Sequence, residues 1–200
     1  MTPSLIQMLL TNLSHLKIIL GSGSPRRREL LTQMGLKFEL YKKEVDESFP
    51  EDIPFTSVAS YLAQKKANAY NPDDKELVIT ADTTVVCKER ILGKPKNRVE
   101  AIEILTFLSN QSHEVTSACC LKSGKYYEVI ENTTVVSFAN LHRDEIEYYV
   151  DQYQPFDKAG AYGIQEYLGL IGIKKISGSF YTVMGLPVYE LYQTLKSLKI

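Results

Sequence analysis

The sequence lacks tryptophan, has three cysteines and three histidines among its 200 residues, and contains no long uninterrupted hydrophobic run. Cys119 and Cys120 are neighbours and the number of cysteines is odd, which argues against a disulfide framework and favours a reducing compartment. The histidines are scattered without the spacing of metal ligands, so we predict no zinc site.

An excess of charge of one sign is also missing. Lysine and arginine total 23, aspartate and glutamate total 24, and the formal net charge is −1. This balance provides no global basic field for nucleic acid or anionic lipid, so we predict neither nucleic acid nor a membrane as a partner. The content of 44% hydrophobic and 24% charged residues is typical of a folded domain and excludes a disordered chain.

The start of the chain carries an apolar cluster that needs an interpretation. Polar residues interrupt the cluster, and the first lysine is Lys17, so the pattern fits neither a signal peptide nor a spanning helix. We therefore predict a short extension over residues 1–16, a single domain over residues 17–200, and a cytoplasmic location. The cluster consists of Leu5, Ile6, Met8, Leu9, Leu10 and Leu13.

From Lys17 onward, short apolar runs typical of buried strands alternate with helical patterns. This alternation predicts an α/β fold with a mixed central sheet flanked by helices. Residues 77–81 predict a buried strand that the charge of Asp82 interrupts, and residues 168–176 predict a strand that contains glycines. The pattern becomes richer in strands near residue 112, which would fit two lobes around a cleft.

The sharpest local signal is the segment Gly21-Ser22-Gly23-Ser24-Pro25-Arg26-Arg27-Arg28, which leads from a strand into a helix. Cations in the first turn oppose the helix dipole at about 0.3–1 kcal/mol each, so the three arginines make most sense beside an anion. Backbone N–H groups, serine hydroxyls and guanidinium groups are the donors that a phosphate needs. The alternative is a solvated basic helix start with ordinary capping by Ser24.

Four other charged residues are candidates for a site. Asp82 directly follows a buried strand, where it can hold Mg²⁺, act as a general base, or simply belong to a turn. Lys66 falls on the inward stripe of a helix predicted over residues 56–70, so it either snorkels to solvent or reaches a phosphate. Lys94 lies in a turn fixed by the following proline. Glu47 lies in an acidic loop that is either a source of oxygen ligands for a hard cation or merely solvated.

Six motifs follow one another along the chain: Ser22-Gly23-Ser24-Pro25-Arg26-Arg27 with Glu29-Leu30-Leu31, Val45-Asp46-Glu47, Ala81-Asp82-Thr83, Gly93-Lys94-Pro95, Lys158-Ala159-Gly160-Ala161-Tyr162-Gly163-Ile164-Gln165 and Gly185-Leu186-Pro187. In this order and spacing, over roughly residues 17–198, they resemble the Maf family of nucleoside triphosphate pyrophosphatases. The resemblance implies an α/β fold related to the inosine triphosphate pyrophosphatases, with a mixed sheet, two lobes, and a nucleotide in the cleft between them.

The resemblance also implies a reaction, namely Mg²⁺- or Mn²⁺-dependent hydrolysis of a nucleoside triphosphate between its α and β phosphates. The products would be a nucleoside monophosphate and pyrophosphate. Asp82 matches the proton acceptor that would activate the attacking water, a position where the same carboxylate could instead hold the metal, and Glu47 matches an acid suited to metal binding. The polar and basic positions that bind the substrate phosphates are matched by Ser22, Arg27, Lys66 and Lys94.

Three positions, Arg26, Thr83 and Gln165, look like the dTTP/UTP branch of that family. In the 7-methyl-GTP branch a tryptophan, a glutamine and a glutamate stand at these positions, and this chain has no tryptophan. A glutamine amide offers a donor and an acceptor to a pyrimidine, whereas a carboxylate suits the donor face of guanine. The chain departs from the family at Glu166, which follows Gln165 where glycine is frequent.

Two alternative functions accompany this prediction. One is hydrolysis of 7-methyl-GTP, which keeps the reaction and changes the base. The other is a nucleotide-binding regulator of cell division, because the family takes its name from blocking septum formation when overproduced. A homodimer is the default expectation for the assembly.

Overall fold

The computed structural model describes residues 10–199 of the chain. Its strands are β1 (Lys17–Leu20), β2 (Glu39–Leu40), β3 (Glu76–Cys87), β4 (Arg90–Ile91), β5 (Ser112–Lys122), β6 (Tyr127–Phe138) and β7 (Ile173–Ser177). Its α-helices are α1 (Pro25–Gln33), α2 (Val58–Asn68), α3 (Arg98–Leu108), α4 (Arg143–Tyr153), α5 (Tyr167–Gly172), α6 (Phe180–Met184) and α7 (Val188–Ser197). Short 3-10 helices span Thr11–Leu13, Phe55–Ser57 and Ala159–Ala161.

The predicted N-terminal extension is only partly within the described range, because residues 1–9 lie outside it. Leu10 and Leu13 are buried. The side-chain amide of Asn12 donates to the carbonyls of Leu195 and Leu198, at 2.9 and 3.0 Å. These contacts tie residues 10–13 to the last helix of the chain. No helix among the described residues is both long and apolar enough to cross a membrane.

The strands form one mixed sheet in the order β2-β1-β3-β5-β6-β7, and β4 pairs with β3 at the side. Strand β1 runs parallel to both β2 and β3, whereas the β3–β4 and β6–β7 pairs are antiparallel. The predicted α/β class with a mixed sheet and flanking helices is therefore confirmed.

The described chain divides into two compact units. The first contains residues 10–82, 117–132 and 185–199, and the second contains Thr83–Thr116 and Thr133–Met184. The chain passes between the units four times, and one of these passages, after Thr116, lies close to the change in pattern noted near residue 112. The other three passages lie inside β3, inside β6 and just before α7, where the composition of the sequence does not change.

In the first unit, β1 pairs with the first part of β3, and their register ends with Leu20 opposite Ile79. The N–H of Gly21 donates to the carbonyl of Ile79 at 2.8 Å, and the chain then turns away into α1. Strand β3 continues through Asp82 to Cys87, so the predicted interruption at Asp82 is wrong. The β-branched residues that follow Asp82 favour the strand conformation on the far side of the charge.

Helix α2 packs closely in the first unit because its inner face is made of small residues. Ala59, Ala63 and Ala67 form a buried cluster with Ala118 and Cys120 of β5. The buried hydroxyl of Thr80 on β3 donates to the carbonyl of Ala63 at 2.7 Å. This contact fixes the last turns of α2 beside β3, just before Asp82.

A close contact explains the glycine at the end of β1. A Cβ atom at Gly21 would lie 2.8 Å from the hydroxyl of Tyr70 and 2.9 Å from Cγ2 of Thr80. The Tyr70 hydroxyl cannot yield easily, because it donates to the carbonyl of Tyr41 at 2.6 Å and accepts from the N–H of Lys43 at 2.9 Å. Only glycine fits this turn without displacing the tyrosine.

In the second unit, residues 167–172 form helix α5, so the strand predicted over residues 168–176 is correct only for β7. Leu168 and Gly172, four residues apart, are buried, whereas Leu170 is 81% exposed, which is helical and not alternating spacing. A six-residue helix with two glycines is too short and too poor in helix formers to reveal that period in the sequence.

The second unit also contains a buried aromatic cluster around His113. Nε2 of His113 lies 2.7 Å from the hydroxyl of Tyr162, and the rings of His113, Tyr162 and Phe138 meet edge to face. Loss of hydration lowers the pKa of His113 to about 4, because burial penalises the charged imidazolium. The histidine is therefore a neutral core residue at physiological pH.

Candidate active site

The turn between β1 and α1 brings Ser22 and Arg27 to the carboxyl end of β1. Ser24 caps the helix, since its hydroxyl accepts from the N–H of Arg27 at 3.5 Å, and Pro25 stands at the first helical position. The hydroxyl of Ser22 accepts from the N–H of Ser24 at 3.3 Å and from Nη1 of Arg27 at 3.2 Å. The predicted capping is confirmed, and the two candidate phosphate ligands lie in contact.

The guanidinium of Arg27 joins three separate segments of the first unit. Its Nε donates to the carbonyl of Gly185 and its Nη1 donates to the carbonyl of Ala81, both at 2.8 Å. Loss of hydration lowers the pKa of Arg27, but a guanidinium stays charged at neutral pH. Arg27 thus has a structural role that the sequence did not indicate, and its role as a phosphate ligand stays a prediction.

Lys66 lies between two carboxylates. Its Nζ is 2.6 Å from Oδ1 of Asp82 and 2.7 Å from Oε1 of Glu47. The side chains of Lys66 and Asp82 are 15% and 13% exposed, whereas that of Glu47 is 49% exposed. The prediction that Lys66 faces inward is confirmed, and one ammonium is shared by both candidate metal-binding acids.

A neighbouring cluster holds the acidic loop in place. Nζ of Lys65 lies 3.0 Å from Oδ2 of Asp46 and 2.8 Å from the carbonyl of Ser48. Hydrogen bonds from Ser48 and then from Lys65 lower the pKa of Asp46 to about 2. Lys65 therefore contacts Asp46, and Lys66, the next residue of α2, contacts Glu47. Because Lys65 also binds the carbonyl of Ser48, the residues on both sides of Glu47 are held in place. In the sequence, the neighbouring lysines 65 and 66 and the neighbouring acids 46 and 47 are the only pattern that points to the contact of Lys65 with this loop.

The Asp82 and Glu47 carboxylates fit a hard divalent cation, because both direct an oxygen atom to one point where a cation, the Lys66 ammonium, already lies. The described residues contain no group of three or more His, Cys, Asp or Glu side chains able to hold a metal. Mg²⁺ is usually held by one or two carboxylates together with waters and substrate phosphates, so two protein ligands suffice.

Lys94 and the motif of residues 158–165 belong to the second unit. Lys94 is exposed in its turn, and the carbonyls of Leu92 and Gly93 accept from the N–H of Gly160 at 3.0 and 3.2 Å. Gly160 has a φ of +72°, and a Cβ atom there would lie 3.1 Å from Val85. The glycine therefore joins the turn of Lys94 to the segment that carries Gln165.

The remaining predicted residues have the following positions. Arg26 is partly buried at the start of α1, and Thr83 is partly buried on β3 directly after Asp82. Gln165 is exposed. The first unit thus brings together Ser22, Arg27, Glu47, Lys66 and Asp82, whereas Thr83, Lys94 and Gln165 belong to the second.

The mixed α/β sheet carries a serine, two basic groups and two acids at the end of a parallel strand pair. This arrangement defines a protein suited to a phosphorylated ligand. The family described as Maf-like protein matches residues 17–198. The chain belongs to this family.

Relatives that share one name match along nearly all of their length. A protein of Bacteroides fragilis named dTTP/UTP pyrophosphatase is 46% identical over 193 residues, covering 95% of this chain and 100% of that protein. A protein of the same name from Flavobacterium psychrophilum is 46% identical over 187 residues, covering 92% and 96%. The structure of a HAM1 protein from Coxiella burnetii aligns with a TM-score of 0.50 and 13% identity over 92% of this chain and 100% of that one, a likeness of fold alone.

Proposed function

We propose that this protein is a nucleoside triphosphate pyrophosphatase that hydrolyses dTTP and UTP to the monophosphate and pyrophosphate. The observation that carries the proposal is the cluster in which Lys66 bridges Asp82 and Glu47. Family membership and the name shared by relatives at about 46% identity support the same reaction.

In the proposed reaction, Asp82 accepts a proton from the attacking water. A bond forms between the water oxygen and phosphorus, and the bond from that phosphorus to the oxygen bridging the α and β phosphates breaks. The electron pair leaves with the bridging oxygen. Lys66 and Ser22 bind the phosphate oxygens, and Arg27 both contributes positive charge and holds the carbonyl that precedes Asp82.

Glu47 and Asp82 are the proposed ligands of Mg²⁺ or Mn²⁺. When bound, the ion supplies Lewis-acid stabilisation of the negative charge on the phosphates. Calorimetric titration of the nucleotide-free protein with Mn²⁺ tests the ligand assignment without relying on activity. We expect Glu47→Gln to weaken binding at least about tenfold, whereas equal affinities would remove Glu47 from the ligand set.

Base selection is assigned in this proposal to Arg26, Thr83 and Gln165. The assignment rests on the family resemblance together with the chemistry of the Gln165 amide, which can pair with both a donor and an acceptor on a pyrimidine. The role of Lys94 as a phosphate ligand has the same basis, and Lys94 is an exposed residue of the second unit.

The deciding experiment is product analysis after incubation with Mg²⁺ and each of dTTP, UTP, CTP, dATP, GTP and 7-methyl-GTP. Preferential conversion of dTTP and UTP to monophosphate and pyrophosphate supports the proposal. Preference for 7-methyl-GTP would keep the reaction and reject the assigned bases. Absence of turnover with both Mg²⁺ and Mn²⁺ would reject the enzyme and leave a nucleotide-binding regulator.

Asp82→Asn tests the proton acceptor. It should lower kcat at least about a hundredfold and leave the Kd for dTTP, measured without metal, within about threefold, because a general base acts on the chemical step. Asp74→Asn is the matched control, since Asp74 pairs with Lys125 on an exposed surface of the same unit. Equal losses in both variants would remove the special role of Asp82.

The proposed location is the cytoplasm. Cys87, Cys119 and Cys120 are free and buried, and burial raises the pKa of each thiol. Such thiols pack as small apolar groups and form little reactive thiolate, which fits a reducing compartment. Fractionation of the native host with a compartment marker is the direct test.

A further inference from the structure

Gln165 lies at the tip of a tight turn in the second unit. The N–H of Glu166 donates to the carbonyl of Gly163 at 3.1 Å, so Ile164 and Gln165 are the two central residues of the turn. Ile164 is buried and Gln165 is exposed. The turn therefore directs one side chain into the core and presents the other.

A single buried hydroxyl holds both ends of this turn. The hydroxyl of Tyr149, a fully buried residue of α4, donates to Oε2 of Glu166 and accepts from the N–H of Gly163 at 3.0 Å. The second carboxylate oxygen of Glu166 lies 3.1 Å from Nζ of Lys158, whose side chain is only 9% exposed. The turn is thus fixed by a largely buried, charged network.

Glu166 stands at the start of a helix but does not use its side chain to cap that helix. Glu166 is the N-cap residue of α5, yet its side chain makes no capping hydrogen bond. The carboxylate lies instead against Gly163, where an added Cβ atom would be 2.7 Å from its Cδ. The side chain therefore stabilises the turn and not the helix.

We propose that Glu166 is a positioning residue for base selection, which it performs by fixing the orientation of Gln165. The inference rests on the function proposed above. UTP and CTP differ in the exocyclic group of the pyrimidine, which is an acceptor in one and a donor in the other. An amide held in one orientation distinguishes the two, whereas an amide on a loosened turn can rotate to suit both.

The test is the ratio of kcat/KM for UTP to that for CTP, measured with Mg²⁺ in the full chain. Glu166→Ala should lower this ratio about tenfold, and Tyr149→Phe should lower it in the same direction because it releases both ends of the turn. Glu166→Gln keeps an acceptor for Tyr149 and loses the charge that pairs with Lys158, so an intermediate ratio is expected. If Glu166→Ala fails to fold, the ratios measured for Tyr149→Phe and Glu166→Gln test the proposal in its place.

Glu147→Ala is the matched control, because Glu147 forms an exposed ion pair with Arg143 on α4 at 2.6 Å. Its ratio should match that of the wild-type chain. A role of Glu166 in stability alone would lower turnover of UTP and CTP equally, and a ratio within twofold of the wild type would overturn the inference. Equal turnover of UTP and CTP by the wild-type chain would overturn it as well, whereas no turnover of any nucleotide would instead reject the enzyme.

Discussion

Replacement of Arg27 by methionine separates its structural role from ligand binding. The substitution removes the donor shared by the carbonyls of Gly185 and Ala81 and the hydroxyl of Ser22. A hydrogen bond from a charged donor contributes roughly 1.5–3 kcal/mol, and a buried carbonyl that loses its donor carries a further cost. Because the arginine is partly exposed and the serine hydroxyl can turn to water, we count only the two carbonyl bonds, at about 1.5 kcal/mol each, and expect a loss of about 3 kcal/mol.

Urea unfolding without nucleotide or metal measures this loss. Arg28→Met is the control, because Arg28 is exposed on the same helix, and it should change the free energy of unfolding by no more than about 0.5 kcal/mol. Arg27→Lys should recover less than half of the loss, since a compact ammonium cannot reach acceptors that the planar guanidinium spans. A loss below about 1 kcal/mol in Arg27→Met would refute the structural role.

Three further predictions address the core, the β1 turn and the acidic loop. The pKa of His113 is about 4 in the folded chain and near 6.5 when unfolded, so stability falls as pH drops through this window. Urea unfolding should show a loss of about 1 kcal/mol between pH 7 and pH 5.5 that His113→Phe lacks, and equal slopes would contradict it. Gly21→Ala should destabilise the protein by about 1–3 kcal/mol, whereas Gly93→Ala, with no heavy atom within 4 Å of the added Cβ, should be nearly neutral in the same assay. Lys65→Met should raise the Mg²⁺ concentration for half-maximal hydrolysis about threefold, because the loop holding Glu47 loosens, and an unchanged value would show that the loop keeps its position without the lysine.

Local patterns predicted those parts of the site that depend on neighbouring residues. The helical stripe placed Lys66 on the inner face, and the apolar run before Asp82 placed that acid just beyond a buried strand pair. The capping of α1 by Ser24 followed from residue types alone. In each case the determining interaction lies within one helix turn or one strand.

Contacts between distant segments were beyond such patterns. Arg27 and Gly185 are 158 residues apart, and nothing in either segment specifies that the guanidinium bonds a carbonyl there. Tyr149 and Glu166 are on different helices, and their contact depends on how α4 and α5 pack. The glycine-rich run of α5 was misassigned because packing of Leu168 and Gly172, and not propensity, makes it helical.

The Glu47–Lys66–Asp82 cluster is poorly explained by stability alone. Removing ammonium and carboxylate groups from water is costly, and apolar side chains of similar size often stabilise a fold equally well or better than a buried ion pair. One ammonium shared by two acids leaves a net negative charge on the cluster, which adds repulsion to the cost of desolvation. Under the function proposed above, a divalent cation would compensate this charge and the ammonium would bind the triphosphate. The excess of negative charge in this cluster is therefore the feature that the proposed metal–nucleotide complex would account for.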